Sequence, residues 1–380
     1  MCYKLTKSGV LCYISSNQFT SAEYGRLMRK FLIDNKYLKT VVDFAGLPVF
    51  DKAITYVSIF TITKENKTNF DYYRVPSLPF NRPKDFNKCC YKEYGDEPWS
   101  FVFDSNRELL KKLSGYPLIT EIAYAKGGII TGNDDCFLFS EGLFPAEAEV
   151  SLDVIRTEDI GRYYMGLPKR KVFYPCKKDE NGSTLVMELN EIKSLYPLAY
   201  KHIMDNESAM KSRKDSRNTM GDRSHWYQPV RFGTRKLFDG EKILGPGIVC
   251  KHKFFIDEKG VAFSFGNMYA IVAKDDKNIQ LRVLLGILNS KLIEFYLHSI
   301  APVKQGGYFS YGATVLEKIP IVYPLGKCEE QIKYFVDQIL TAKQSNPLAD
   351  TSALEKEIDN LVYQLYKLTP DEIALIEQAN

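Results

Sequence analysis

Two hydrophobic periods run along the chain. Between residues 9 and 63 short apolar runs flank one helical stripe. Residues 10–14 follow a Ser-Gly turn and predict a buried strand. Ser21 can cap a helix whose apolar positions Leu27, Met28, Phe31 and Leu32 share a face. Residues 41–44 predict a second strand. Residues 54–63, rich in β-branched side chains, predict a third. Strand, helix, strand implies a right-handed crossover in a parallel sheet. The short loop containing Gly46-Leu-Pro48 makes the second and third strands antiparallel neighbours. Three strands cannot make a stable doubly wound domain, so further strands are expected N-terminal to residue 1, with the chain starting in the middle of a fold.

Residues 64–115 are polar, carry Pro76, Pro79, Pro83 and Pro98, and read as a connecting segment. Residues 116–325 are strand-rich, with frequent Gly and Pro, and form the largest domain. Within it, residues 283–297 have helical periodicity. Residues 328–380 are helical: Leu354, Ile358, Leu361, Val362 and Leu365 make an apolar stripe, and Thr369-Pro-Asp-Glu372 is a capping box. The expected order is 1–65, the end of an α/β sheet; 66–115, a connection; 116–325, a mixed α+β domain; and 326–380, C-terminal helices.

Composition changes this picture at one place. The 380 residues carry a net charge of only +4. Residues 211–236, however, hold eight basic residues (Lys211, Arg213, Lys214, Arg217, Arg223, Arg231, Arg235 and Lys236) against Asp215 and Asp222. That is a net +6 in one segment and −2 over the rest, the distribution a nucleic-acid contact requires. The eight cysteines have no metal-ligand spacing and read as reduced thiols. The four histidines are scattered, so no metal site is expected. No apolar run reaches the roughly 18 residues of a membrane span, and no signal-peptide pattern opens the chain. The expectation is a cytoplasmic protein with no membrane partner.

Four segments carry candidate chemistry. The first is Gly9-Val-Leu-Cys-Tyr-Ile-Ser-Ser-Asn17, a helix, Val41-Val-Asp-Phe44, and then Pro48-Val-Phe-Asp-Lys-Ala-Ile-Thr-Tyr-Val57. This order resembles the end of the catalytic domain in TaqI-type adenine-specific DNA methyltransferases. The resemblance implies a partial Rossmann-like methyltransferase sheet, with Phe50 stacking on an adenine flipped out of the duplex. An aromatic face can replace part of the stacking the base loses. Phe50 as a core anchor for its strand is the alternative.

The second segment, Lys126-Gly-Gly-Ile-Ile-Thr-Gly-Asn-Asp-Asp-Cys-Phe137, resembles the start of the family's C-terminal specificity, or target recognition, domain. Thr131, Gly132 and Asn133 are its DNA-facing candidates. Clustered glycines leave N–H groups open to phosphate, or simply permit a hairpin. The third is the basic segment ending His225-Trp-Tyr-Gln228, which the family also places before a Trp-Tyr pair. Its cations would neutralise phosphates or reach guanine, Asn218 or Gln228 could read adenine, and Trp226 joins the candidate set. A solvated loop that orders on DNA is the other reading.

The fourth segment matches most specifically: Leu284-Leu-Gly-Ile-Leu-Asn-Ser-Lys291, Gly306-Gly-Tyr-Phe-Ser-Tyr-Gly312 and Leu316-Glu-Lys-Ile-Pro-Ile321. In the family this loop enters the DNA helix and fills the space the flipped base leaves. Tyr308 and Phe309 stand at the corresponding place, or pack beneath a Gly-permitted hairpin tip.

The family's reaction needs a Gly-containing turn for S-adenosylmethionine and an Asn-Pro-Pro-Tyr loop for the adenine amino group. Neither occurs; Asn346-Pro347-Leu348 lies in a linker, and Asp239, Glu241 and Lys242, of nuclease types, read as a turn. The resemblance therefore implies the C-terminal half of a restriction–modification adenine methyltransferase. It would act on double-stranded DNA, and be inactive and without bound S-adenosylmethionine unless a catalytic half supplies the donor site. A non-enzymatic specificity module serving a separate catalytic chain, and a poorly folding remnant, are the other readings.

Overall fold

The computed structural model describes residues 5–6, 8–45, 47–50, 56–65, 67–75, 77–80, 85–99, 101, 104–140, 142–264, 268–277, 279–304, 308–323 and 326–379. Two units pack separately: Met1–Lys112 with His298–Ser310, and Leu113–Leu297 with Tyr311–Asn380. The fold is mixed α/β, with several sheets and a helical C-terminus.

The described residues of the first unit form a five-stranded sheet of β1 (Val10–Ser16), β2 (Leu38–Asp43), β3 (Val57–Thr63), β4 (Asn69–Arg74) and β5 (Asn87–Cys90), in the order β1-β3-β2-β4-β5. The expected antiparallel pairing of second and third strands is present, with Val41 opposite Phe60. β1 and β2 run parallel as the crossover requires, but β3 lies between them. Residues 51–55, where the third strand was expected to begin, lie outside the described residues, as do Gly46, Pro76 and Pro83.

Three expectations are corrected here. The stretch read as a connecting segment supplies β4, parallel to β2, and β5, so the sheet has five strands rather than three. β1 is an edge strand, not a buried one, and the face that carries Val10 and Ile14 is uncovered, leaving both about half exposed. The helix α1 spans Arg26–Asp34 and starts after Gly25, while Ser21 closes a preceding 3-10 turn. Leu27 and Met28 face outward, and the buried face is Arg29, Leu32 and Ile33. Arg29 inverts the apolar pattern because its guanidinium satisfies three backbone carbonyls, of Phe19, Ala22 and Asp96. Leu32, Val41, Phe60, Phe70 and Tyr72 fill one side of the sheet, and Val42, Phe44, Val57 and Val75 the other.

In the second unit an antiparallel sheet joins Phe255–Asp257, Lys242–Pro246, Met268–Ala273 and Ala123–Gly127 in that order. A mixed sheet joins Ala262–Phe263, Ser151–Ile155, Arg170–Phe173 and Leu138–Ser140. Gly245-Pro246, a pair of residue types common in turns, lies inside the strand Lys242–Pro246. A Cβ at Gly245 would sit 2.2 Å from the Phe254 ring, so the glycine serves close packing.

The Leu-Leu-Gly-Ile-Leu-Asn-Ser-Lys motif forms two helices, Leu281–Leu288 and Lys291–Ile300, where one periodic stretch was expected. The break has a job. The buried Asn289 side chain donates to the Phe254 carbonyl and accepts from its N–H, both at 2.9 Å. Gly286 lets the helix Cys328–Ser345 approach: a Cβ there would lie 2.8 Å from Ile332. In the Leu-x-x-Ile-Pro turn, the Ile319 carbonyl accepts from Ile119 N–H and the Pro320 carbonyl from Tyr366 hydroxyl. The expected capping box forms, with Thr369 N–H donating to Glu372 and Glu372 N–H to Thr369.

Asp359, on the helix Ser352–Leu365, is buried and accepts the Lys291 N–H at 2.8 Å. Burial pushes its carboxyl up to about 6, against the Lys291 N–H and the charges of Arg162 and Lys291. The folded chain thus keeps a proton that the unfolded chain releases near pH 4. That stabilisation is whole below pH 4 and is lost as pH rises to about 6. Asp359→Asn mimics the protonated form. It is expected to unfold at higher urea than the parent at pH 7.5, by about 3 kcal/mol, and at nearly the same urea at pH 4. An equal difference at both pH values would refute this account.

Candidate nucleic-acid interface

The second and third sequence segments meet in the second unit. After the strand Ala123–Gly127, Gly128 passes so close to Phe263 that a Cβ would lie 1.9 Å from its carbonyl oxygen. Ile129 N–H then donates to that carbonyl, and Ile130 exchanges two backbone hydrogen bonds with Arg231. The chain turns at Thr131-Gly132-Asn133. Gly132 takes a positive φ of 78°, with a Val230 methyl 2.6 Å from where a Cβ would stand. Its glycine is thus required by the turn itself. Thr131 is buried, Asn133 caps the next turn by accepting from Asp135 N–H, and Gly132 remains exposed. A cleft of about 350 Å³ opens beside it, lined by Ile130, Thr131, Asn133, Leu138 and Ser264 among others.

The basic segment is a built element. A helix, Glu207–Ser212, ends at Arg213. A two-residue hairpin follows, Lys214–Asp215 paired with Asn218–Thr219, turning through Ser216 at φ 58°. Lys214, Ser216, Arg217 and Asn218 are exposed along this finger. Asp215 faces back and binds Arg223 at 2.9 Å and Arg231 at 3.5 Å; Arg223 in particular holds its carboxyl below the usual range. Lys211 sits 4.8 Å from the Trp226 ring centroid and also pairs with Glu207. Tyr227 is buried, donating its hydroxyl to Met187 O.

Arg213 corrects the sequence reading. It was expected among the DNA-facing cations, but it is 4% exposed, and its guanidinium donates to the carbonyls of Met210, Thr131, Trp226 and Gln228. It also lies over the Phe137 ring, 4.4 Å from the centroid. Gln228 is likewise turned inward, its Oε1 buried, and so does not present that oxygen to a base. Arg235 and Lys236 lie on a separate short helix, Arg235–Asp239, each paired with an acid: Arg235 with Asp239 and Lys236 with Asp275. The exposed remainder gathered at the finger is Lys214, Arg217, Asn218 and Arg231.

Two further candidates belong to the first unit. Phe50 is 43% exposed, in the loop that follows β2, so it is not a core anchor. Val303–Lys304 pairs with Tyr308–Ser310; Gly306 and Gly307, between them, lie outside the described residues. Phe309 stacks on His298 at 3.9 Å and 11°, while Tyr308 is the exposed ring.

The sequence reading missed Asp43. At the C-terminal end of β2 it accepts hydrogen bonds from Asn17, Ser58, Tyr72 and the Ala45 N–H. A carboxylate inside the apolar run Val41-Val-Asp-Phe44 was the available signal.

Residues 159–321 match the TaqI-like C-terminal specificity domain, and residues 1–50 the Eco57I restriction–modification methylase. The chain is 23% identical to Type II methyltransferase M.BstVI of Geobacillus stearothermophilus, over 99% of this chain and 67% of that protein. It is 22% identical to the Type II restriction enzyme and methyltransferase RM.Eco57I of Escherichia coli, over 95% of this chain and 39% of that protein. Among solved structures, the Type IIL restriction–modification enzyme MmeI in complex with DNA has the same fold. Its TM-score is 0.64 at 15% identity, over 97% of this chain and 49% of that one. The chain is thus related to the restriction–modification methyltransferases and carries their TaqI-type specificity domain, behind a segment shared with the Eco57I methylases.

Proposed function

We propose that this chain is the DNA-reading part of a site-specific adenine methyltransferase of a restriction–modification system. The finger at Lys214–Thr219 and Arg231 grip duplex DNA, with Arg217 and Asn218 at the tip suited to guanine and adenine edges in the major groove. Phe50 stacks the adenine taken out of the helix, and Tyr308 occupies the space it leaves. The observation that carries the reading is the exposed basic finger inside a domain of specificity type.

S-adenosylmethionine, implied by the methyltransferase relatives, does not fit the residues present. β1 runs into a 3-10 turn, Asn17–Thr20, that contains no glycine to admit a donor, and the 380 residues contain no Asn-Pro-Pro-Tyr. We assign donor binding and methyl transfer to a catalytic portion, or a catalytic partner chain, that acts together with these residues.

Fluorescence anisotropy on duplex DNA at several salt concentrations tests the finger. Lys214→Ala with Arg217→Ala is expected to weaken binding and to flatten the plot of log affinity against log salt by about 0.9 for each phosphate that is no longer neutralised. Unchanged affinity and slope would remove the finger from the interface.

A further inference from the structure

Arg213 is a buried cation with four carbonyl partners, drawn from three parts of the reading surface or its root. Met210 is on the helix that leads into the finger, Thr131 is in the glycine turn, and Trp226 and Gln228 flank the buried Tyr227. No carboxylate pairs with it among the ion pairs of the described residues; the charge is met by carbonyl dipoles and by the Phe137 face. Burial lowers its pKa to about 10, so it stays charged at neutral pH. The next residue, Lys214, begins the finger. At the other end of the arrangement, Asp215 ties the finger to Arg223 and Arg231, and Arg231 is paired through its backbone to Ile130 beside the glycine turn.

We infer that Arg213 is a positioning residue: its planar guanidinium locks the finger, the glycine turn and the Trp-Tyr segment into one rigid reading surface without touching DNA. This rests on the DNA-reading role proposed above. Only Arg can do it, because four carbonyls from three separate segments converge on one side chain, and an ammonium has only three protons to give them. A pre-set finger binds without first losing its own conformational freedom, so the lock raises affinity while neutralising no phosphate itself.

The test uses the full chain as parent, Arg213→Met and Arg213→Lys. One readout is duplex binding against salt. The other is the rate of tryptic cleavage after Lys214 and Arg217, compared with cleavage elsewhere in the chain. Both substitutions are expected to speed cleavage in the finger at least tenfold with other sites unchanged, and to weaken DNA binding about tenfold with the salt slope of the parent. The lysine variant, with charge kept and volume nearly kept, serves if the methionine variant does not fold. A slope lower by about 0.9 would make Arg213 a phosphate ligand and overturn the inference. So would cleavage that rises equally at all sites, or not at all. If the parent itself fails to bind duplex DNA at any salt, the DNA-reading role falls, and the cleavage pattern still decides whether Arg213 holds the finger.

Discussion

Lys242→Met is expected to cost the second unit about 3–5 kcal/mol, read as a fall in the urea midpoint of unfolding followed by circular dichroism. Lys242 and Asp257 are both fully buried, with the ammonium 2.6 Å from the carboxylate. The ammonium also donates to the carbonyls of Phe238 and Gly240, so all three of its protons are used. Asp257 accepts from the N–H groups of Lys259, Gly260 and Val261, which closes the turn after its strand. Removing the lysine leaves a carboxylate in an apolar interior with only amides to hold it. Asp257→Leu added to Lys242→Met removes that stranded charge. It should recover part of the loss, though not the part owed to the turn. A single-variant loss below about 1 kcal/mol would show that water reaches the pair. The burial also answers the nuclease question raised by Asp239, Glu241 and Lys242. A lysine wrapped in three protein acceptors has no proton left for a phosphate.

The contrast between Lys242 and Lys214 marks where sequence reading stops. Period and turn chemistry located the β2–β3 pairing, the C-terminal helices and the Thr369 capping box, because each is decided by neighbours in the chain. The specificity-domain motifs were legible for another reason. Asn289 and Gly286 are tied to Phe254 and Ile332, partners that restrict the residue type at each position. Charge counting found the basic segment but could not sort it. Arg213 and Arg217 are four residues apart and identical in type, yet one is sealed inside and the other stands at a hairpin tip. What separates them is the supply of carbonyls from Thr131, Trp226 and Gln228, which arrive from other parts of the chain. The same holds for Arg29, which took an apolar place in α1 because three carbonyls faced it. β4 and β5 were missed because the prolines around them, and the polar residues on their exposed positions, read as loop until β2 supplies a strand to pair with.

Asp43→Ala is expected to destabilise the first unit by about 3–5 kcal/mol, as large a loss as any single side chain there should give. The carboxylate is nearly buried at the end of β2. One oxygen takes hydrogen bonds from Asn17 at 2.8 Å, Ser58 at 3.0 Å and the Ala45 N–H at 2.9 Å; the other takes the Tyr72 hydroxyl at 2.9 Å. Arg74 stands 3.7 Å away. Alanine leaves the buried Ser58 and Tyr72 hydroxyls without this acceptor and Arg74 without its counter-charge. The donors come from β3, β4 and the segment after β1, so the loss is felt across four of the five strands. Ala45 adds a local consequence: it holds a positive φ of 48°, and its N–H bond to Asp43 is what fixes that turn into the loop leading to Phe50. Asp43→Asn keeps an acceptor oxygen but turns an amide N–H₂ toward a hydroxyl or guanidinium donor, so about half the loss is expected. Thermal and urea unfolding of the two variants, with hydrogen exchange at β2 and β3 to assign the transition to this unit, gives the ranking Ala worse than Asn worse than parent. Equal stability of the alanine variant and the parent would mean that the four donors find other acceptors, and that Asp43 does not organise the strand ends from which Phe50 is presented.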